Sequence, residues 1–160
     1  MTIKIACVGN IKEDYLKKAI ADYSKRIQQF FKLEIIELKE EPEPKNLSQG
    51  AIDKIKDKEY KRFVEKIDFS SSYTIGLFID GKQYESVEFA HKLDKWIGSS
   101  KVNLVFVIGG SNGLDDRFYQ LCDEKISFSK MTFPHQLMRV ILLEQIYRGF
   151  KILNNQKYHK

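Results

Sequence analysis

The stretch that decides the fold is Val102-Asn103-Leu104-Val105-Phe106-Val107-Ile108, followed at once by Gly109-Gly110-Ser111-Asn112-Gly113. A run so continuously apolar reads as a strand covered on both faces, the condition of a strand inside a parallel sheet. Its end in glycines and small polar residues predicts a tight loop leaving the strand's carboxyl end. Working outward, four more strand candidates appear: Ile3 to Val8, Leu33 to Leu38, Tyr73 to Ile79 and the weaker Ile126 to Phe128. The runs at Tyr73 and Val102 read as central strands.

Helical stretches separate these runs. Leu16, Ile20, Tyr23, Ile27 and Phe30 recur at alternating spacings of four and three, one face of a helix. A second helix is expected over Gln49 to Lys66, with Ser48 as N-cap. A third follows Ser86, buries Phe89, Leu93, Trp96 and Ile97, and ends at Gly98, which suits the left-handed position after a helix. Between strand two and helix two, Glu40-Glu41-Pro42-Glu43-Pro44 reads as a surface loop, because each proline fixes φ and removes a donor. Strands alternating with helices predict an α/β fold, a mainly parallel sheet flanked by helices, in a single domain over residues 1–160.

Composition narrows the class. Hydrophobic residues at 42% and charged residues at 31% favour neither disorder nor a membrane protein. The two cysteines, Cys7 and Cys122, show no CxxC spacing, so neither a disulfide framework nor a metal site is indicated and a reducing, cytoplasmic setting is expected. The opening apolar run is too short for a signal-peptide core. A net charge of +5 raises the odds of a phosphate-bearing partner.

The chemistry is expected in the C-terminal half. The glycine loop lets the backbone approach a ligand, and in open α/β sheets ligands bind beyond the carboxyl ends of the strands. Its spacing is neither G-x-G-x-x-G nor a Walker loop, which argues against a dehydrogenase or kinase. Phe128 to Phe133 reads as a strand end and tight loop, and Pro134 starts a helix that runs to about Leu153. His135 falls in its first turn, where the helix dipole favours the neutral ring. That helix is apolar around most of its circumference, so it needs a second subunit as well as the sheet. Arg139, Glu144, Gln145, Arg148 and Lys151 interrupt it too often for a membrane span. Glu144 and Arg148 are spaced as an intrahelical pair. The terminal Tyr158-His159-Lys160 combines stacking, proton exchange and phosphate contact.

These residues resemble the RlmH family of SPOUT methyltransferases, bacterial enzymes that methylate a pseudouridine of large-subunit ribosomal RNA at N3. The resemblance rests on Val107 to Leu114, on Ser129-x-x-Thr132-x-Pro134-His135, on Arg139, on Glu144-x-x-Tyr147-Arg148, and on Tyr158-His159-Lys160. It extends to the opening strand with Val8-Gly9 and to the whole length. Asn10 departs from it, standing where the family often carries lysine.

The resemblance implies a C-terminal deep trefoil knot, which periodicity would not suggest because knots are essentially absent from folds in general. It implies S-adenosyl-L-methionine as cofactor, held by Leu77, Gly109, Gly110 and the loop Phe128, Ser129, Lys130, Met131, Thr132 and Phe133, with no metal. It implies a homodimer acting on large-subunit rRNA or the assembled ribosome, one subunit's tail approaching the other's cofactor. The expected roles are proton handling by His159 or His135, stacking or hydrogen bonding by Tyr158, and phosphate or charge contacts by Arg139 with Lys160. Two other readings stand beside it: the same chemistry on another RNA such as tRNA, and a noncatalytic ribosome-binding module.

Overall fold

The computed structural model describes residues 1–160. Its strands are β1 (Thr2–Val8), β2 (Leu33–Leu38), β3 (Ser72–Lys82), β4 (Asn103–Ile108) and β5 (Glu124–Ile126). Its helices are α1 (Asp14–Ile27), α2 (Gln49–Lys66), α3 (Ser86–Ile97), α4 (Phe118–Leu121) and α5 (His135–Leu153). The strands form one parallel sheet in the order β2-β1-β4-β3-β5, so the stretch Asn103–Ile108 lies at its centre.

Alternate side chains of each strand serve two cores. Ile3, Ile5, Cys7, Leu104, Phe106 and Ile108 point to the face covered by α1, α3 and α5, while Ala6, Val8, Val105 and Val107 point to the face covered by α2 and α4. Continuous apolar sequence in β4 is therefore what a strand with helices on both sides requires. The two cysteines fall on opposite faces and both are free and buried.

The connections through α1 and α3 step one way across the sheet on one face, and those through α2 and α4 step the other way on the opposite face. All four crossovers thus share one hand, as twisted parallel sheets demand. Chains leaving β4 and its neighbours β1 and β3 consequently diverge, which opens a crevice at the carboxyl end of β4.

Local expectations hold in part. Ser48 caps α2, its hydroxyl accepting from the Ala51 amide at 3.2 Å. Four details differ. Phe30 lies past the end of α1, stacked on Phe150 with centroids 5.5 Å apart. Gly98 has φ −72°, so it closes α3 in right-handed geometry rather than the left-handed one. Strand β5 covers Glu124–Ile126, ahead of the expected Ile126 to Phe128. Strand β3 runs on to Lys82, because its register against β5 shifts between Leu77 and Lys82, both of which pair with Ile126. Gly81 permits that shift, since a β-carbon there would stand 2.4 Å from the Ile126 carbonyl carbon. No helix is long and apolar enough to cross a membrane.

Candidate active site

The crevice at the end of β4 is a cavity of about 570 Å³, inside the range of small-molecule sites. Its lining mixes apolar side chains such as Leu77, Phe78, Ile79 and Ile126 with the polar Ser111, His135 and Gln136. Of the residues expected to hold a cofactor, Leu77, Gly109, Gly110, Phe128, Ser129, Met131, Thr132 and Phe133 all line it. Lys130 does not: its side chain stands exposed, outside the wall. The loop is braced by serine hydroxyls, Ser127 Oγ donating to the Ser129 carbonyl at 2.8 Å and Ser129 Oγ accepting from the Met131 amide at 2.9 Å. A smaller cavity bounded by Tyr84, Ser86 and Gln145 lies behind it, so Phe128 and Phe133 belong to a thin partition.

Gly109 of the central loop owes its identity to packing within the protein. A β-carbon on Gly109 would sit 2.6 Å from the Gly113 carbonyl carbon and 2.8 Å from the Leu114 nitrogen. The loop folds back on itself there, Gly113 N–H donating to the Gly110 carbonyl at 3.0 Å. Close ligand approach, the sequence-level reason for these glycines, is thus joined by a stronger one: the turn cannot close around a side chain.

His135 opens α5 and lines the cavity. Its Nε2 is buried without a hydrogen-bond partner. Burial pushes the imidazole below its ordinary pKa, with Glu40 opposing and Arg139 adding to the shift. The ring is therefore neutral near pH 7, consistent with its place at the positive end of the helix dipole.

Arg139, expected to meet phosphate or the target base, is 1% exposed and points inward. It donates to the Gly9 carbonyl at 3.0 Å and pairs with Glu37 at 3.3 Å. A guanidinium so enclosed holds the loop after β1 against α5, and in this chain its contacts are with the protein itself.

Residues that sequence reading left as a plain surface loop join the site. Glu40 and Glu43 arch over the glycine loop, where Ser111 Oγ lies 3.3 Å from Glu40 Oε1 and Asn112 Nδ2 donates to Glu43 Oε1 at 3.0 Å. Glu41 anchors this strap to α2 through Lys58 at 2.9 Å and Arg62. Glu59, only 5% exposed, accepts from the Glu41 amide at 3.2 Å beneath it. Run together, two prolines and three carboxylates were the available signal.

The C-terminal tail is tied down rather than frayed. Tyr158 packs edge-on against Tyr147, centroids 4.9 Å apart, and donates to Glu144 at 3.1 Å. Arg148 lies 4.7 Å from the Tyr158 ring centroid, pairs with Glu144 at 2.7 Å, and stands 3.3 Å from His159 Nδ1. Burial, then Glu144, pushes the Tyr158 phenol up to about 12, so it stays a donor. Glu144 is nine residues beyond His135, roughly 13 Å along the helix axis. The structure thus brings His135 to the cavity and leaves the tail Tyr158, His159 and Lys160 beyond α5, tied back to its Glu144, Tyr147 and Arg148 in the same chain.

Comparison with known proteins now decides the family. The family described as "Predicted SPOUT methyltransferase" matches residues 1–159. The chain belongs to the SPOUT methyltransferase family. Two relatives called ribosomal RNA large subunit methyltransferase H, from Bacillus pumilus and Clostridioides difficile, are each 49% identical over 160 residues, covering 100% of both chains. Among solved structures, a probable methylase family protein from Haemophilus influenzae matches with TM-score 0.54 at 14% identity, covering 99% of this chain and 70% of that one. A tRNA (m1G37) methyltransferase from Aquifex aeolicus matches with TM-score 0.51 at 14% identity, covering 92% of this chain and 70% of that one. At such identity those two show a shared fold only, and this SPOUT methyltransferase takes its chemical reading from the cavity and the full-length relatives.

Proposed function

We propose that this SPOUT methyltransferase moves a methyl group from S-adenosyl-L-methionine to N3 of a pseudouridine in large-subunit ribosomal RNA, acting as a homodimer on rRNA or the assembled ribosome in the cytoplasm. The observation that carries the reading is the cavity at the end of β4, lined by the residues that the rRNA methyltransferase resemblance assigns to the donor. Its volume and mixed lining suit that molecule: apolar side chains for the adenine face and polar groups for the aminoacyl arm. The single-domain threading of the C-terminal segment as a trefoil knot belongs to the same proposal.

The donor supplies an electrophilic methyl on a sulfonium, and no metal is needed. The protein's part is alignment and proton management. Leu77 and Phe128 would cover the adenine, and Gly109, Gly110, Ser129, Met131, Thr132 and Phe133 would present backbone groups and side chains around it. The tail residues supply what the donor cavity lacks: Tyr158 to stack on or bond the acceptor base, His159 to take its imide proton, and Lys160 to hold phosphate. His135 shares the cavity wall as a neutral acceptor.

Separation of tail and cavity within one chain supports the dimer. The α5 face bearing Leu137, Val140, Ile141 and Glu144 retains exposure, and a partner packed there can bring its tail to this cavity. Mass spectrometry of rRNA from cells with and without the protein tests the assignment. The expected result is loss of a single methylated pseudouridine from large-subunit rRNA; an unchanged modification map would overturn it.

A further inference from the structure

We infer that Arg26 on α1 and Lys151 on α5, gathered over the ring of Tyr147, form a clamp for phosphates of the rRNA strand next to the base that receives the methyl group. The inference rests on the rRNA reading above and names a surface that holds the substrate. The Arg26 guanidinium lies 5.6 Å from the Tyr147 ring centroid, and Lys151 Nζ lies 6.0 Å from it. Tyr147 is a firm floor for them. It is 8% exposed and touches Tyr23 and Phe30, each with ring centroids 6.3 Å away. Attraction between the ring face and the cations restrains two long side chains that would otherwise sweep freely, which lowers the cost of ordering them on a ligand.

Both cations are only partly used within the chain. Asp22 takes Arg26 Nε at 2.8 Å, and the two terminal nitrogens of the fork have no carboxylate partner. Lys151 stands in no ion pair and meets only the Tyr147 ring. A flat guanidinium laid over a ring keeps N–H groups for phosphate oxygens, and an ammonium brings several more. The neighbouring tail adds charge. Arg148 lies 4.7 Å from the Tyr158 ring centroid, and Lys157 and Lys160 are exposed without an acidic partner. The side-chain carboxylates that pair with this group are Asp22 and Glu144, so cations stay in excess.

On the flank of α2 the sign is reversed. Glu40 and Glu43 arch over the glycine loop, and Glu41 ties that strap to Lys58 of α2. A polyanion is therefore turned away from this flank and toward the face of α1 and α5, where the tail lies. Phosphates displace counterions from themselves when they meet such cations, which adds to binding and makes it sensitive to salt. The clamp thus sits beside Tyr158, His159 and Lys160, the residues proposed to meet the acceptor base, and gives the strand a second hold next to it.

Binding of the full-length protein to large ribosomal subunits from cells that lack it, followed by filter retention over a range of KCl concentrations, tests the clamp. Arg26→Gln and Lys151→Gln are each expected to weaken binding about fivefold and to lower the slope of log Kd against log salt by about one. S-adenosylhomocysteine affinity, thermal unfolding and oligomer mass are expected to stay as in the parent. Arg26→Lys, which keeps the charge, is expected to recover most of the loss. Lys54→Gln, on the exposed side of α2 and in no ion pair, is expected to change nothing. An equal loss from Lys54→Gln overturns the clamp, because general charge then accounts for both. Parent-like binding by Arg26→Gln and Lys151→Gln overturns it as well. A fall in their oligomer mass overturns it too, and assigns the two cations to the partner subunit. Clamp-dependent binding without methylation of those subunits instead sinks the rRNA methyltransferase reading and leaves the RNA clamp standing.

Discussion

Arg139, in the first turns of α5, donates from Nη2 to the carbonyl oxygen of Gly9 at 3.0 Å, across 130 residues of sequence. The bond joins the loop after β1 to the helix that carries His135, and Glu37 on β2 closes the arrangement at 3.3 Å. Because the guanidinium is 1% exposed, its loss leaves a buried carbonyl unpaired and a void. Glu37 keeps much of its hydration, so the ion pair itself adds little. Arg139→Ala is expected to destabilise the protein by about 2–3 kcal/mol in urea unfolding. Unchanged stability with weakened RNA binding would instead restore Arg139 to a nucleic-acid role.

Glu124, at the start of β5, collects donors from β3, α3 and the loop between them. Lys92 lies at 2.9 Å, Trp96 Nε1 at 3.0 Å and Tyr84 at 3.1 Å, with the Tyr73 hydroxyl at 3.5 Å. Burial alone pushes its carboxyl up, yet the bonds from Trp96, Lys92 and Tyr84 hold it below its ordinary value. Glu124→Ala leaves the buried indole N–H without its acceptor and frees the edge strand that backs the cavity. The expected cost is about 2–4 kcal/mol, with a shift in the emission of Trp96, the chain's single tryptophan. A lone effect on emission, with unfolding unchanged, would show that the hub does not hold β5.

The strands and helices were legible wherever one physical requirement dominated. Double-sided burial made Asn103–Ile108 unmistakable, and Ser48 marked the start of α2 by its capping chemistry. Boundaries failed where tertiary contacts ruled. Nothing local says that β3 continues to Lys82, because Gly81 is required by the Ile126 backbone, which is remote in sequence. The loops that line the cavity were legible through resemblance more than through spacing, since the packing reason for Gly109 is its own turn. Glu40 was illegible for another reason: an acidic, proline-bearing loop looks solvated, and only the fold lays it against Ser111. The burial of Arg139 was not legible, because a cation in sequence carries no sign of it.

Glu59 offers a test of pH dependence. Burial raises its carboxyl above the ordinary value, with the Glu41 amide opposing and the Glu40 charge reinforcing the shift. A carboxyl with a raised folded pKa binds its proton more tightly in the native state. Stability therefore falls as pH rises from the unfolded pKa through the folded one, and the full penalty of the buried charge is present above it. Glu59→Gln keeps an acceptor for the Glu41 amide and removes the charge. Its melting temperature is expected to equal or exceed that of the parent at pH 7–8, with the advantage fading as pH drops toward 4. A variant less stable than the parent at pH 8 and matched to it at pH 4 would reverse the sign and show that the charged form is the one the fold favours.

Removal of Tyr158, His159 and Lys160 separates donor binding from transfer. The cavity contains none of the three, so the shortened chain is expected to bind S-adenosylhomocysteine with parent affinity while methyl transfer falls below detection. Loss of the Tyr158 bond to Glu144 and its packing on Tyr147 costs about 1–2 kcal/mol, too little to unfold the chain. If the site is composite, mixing this truncation with a variant whose cavity is blocked, such as Thr132→Trp in the lining loop, restores turnover. Half of randomly exchanged subunits form mixed dimers with one complete site each, which predicts recovery to about a quarter of the parent rate. Persistence of activity in the truncation alone removes the tail from the chemistry. Absence of any recovery in the mixture, with subunit exchange verified by mass, places tail and cavity in the same chain.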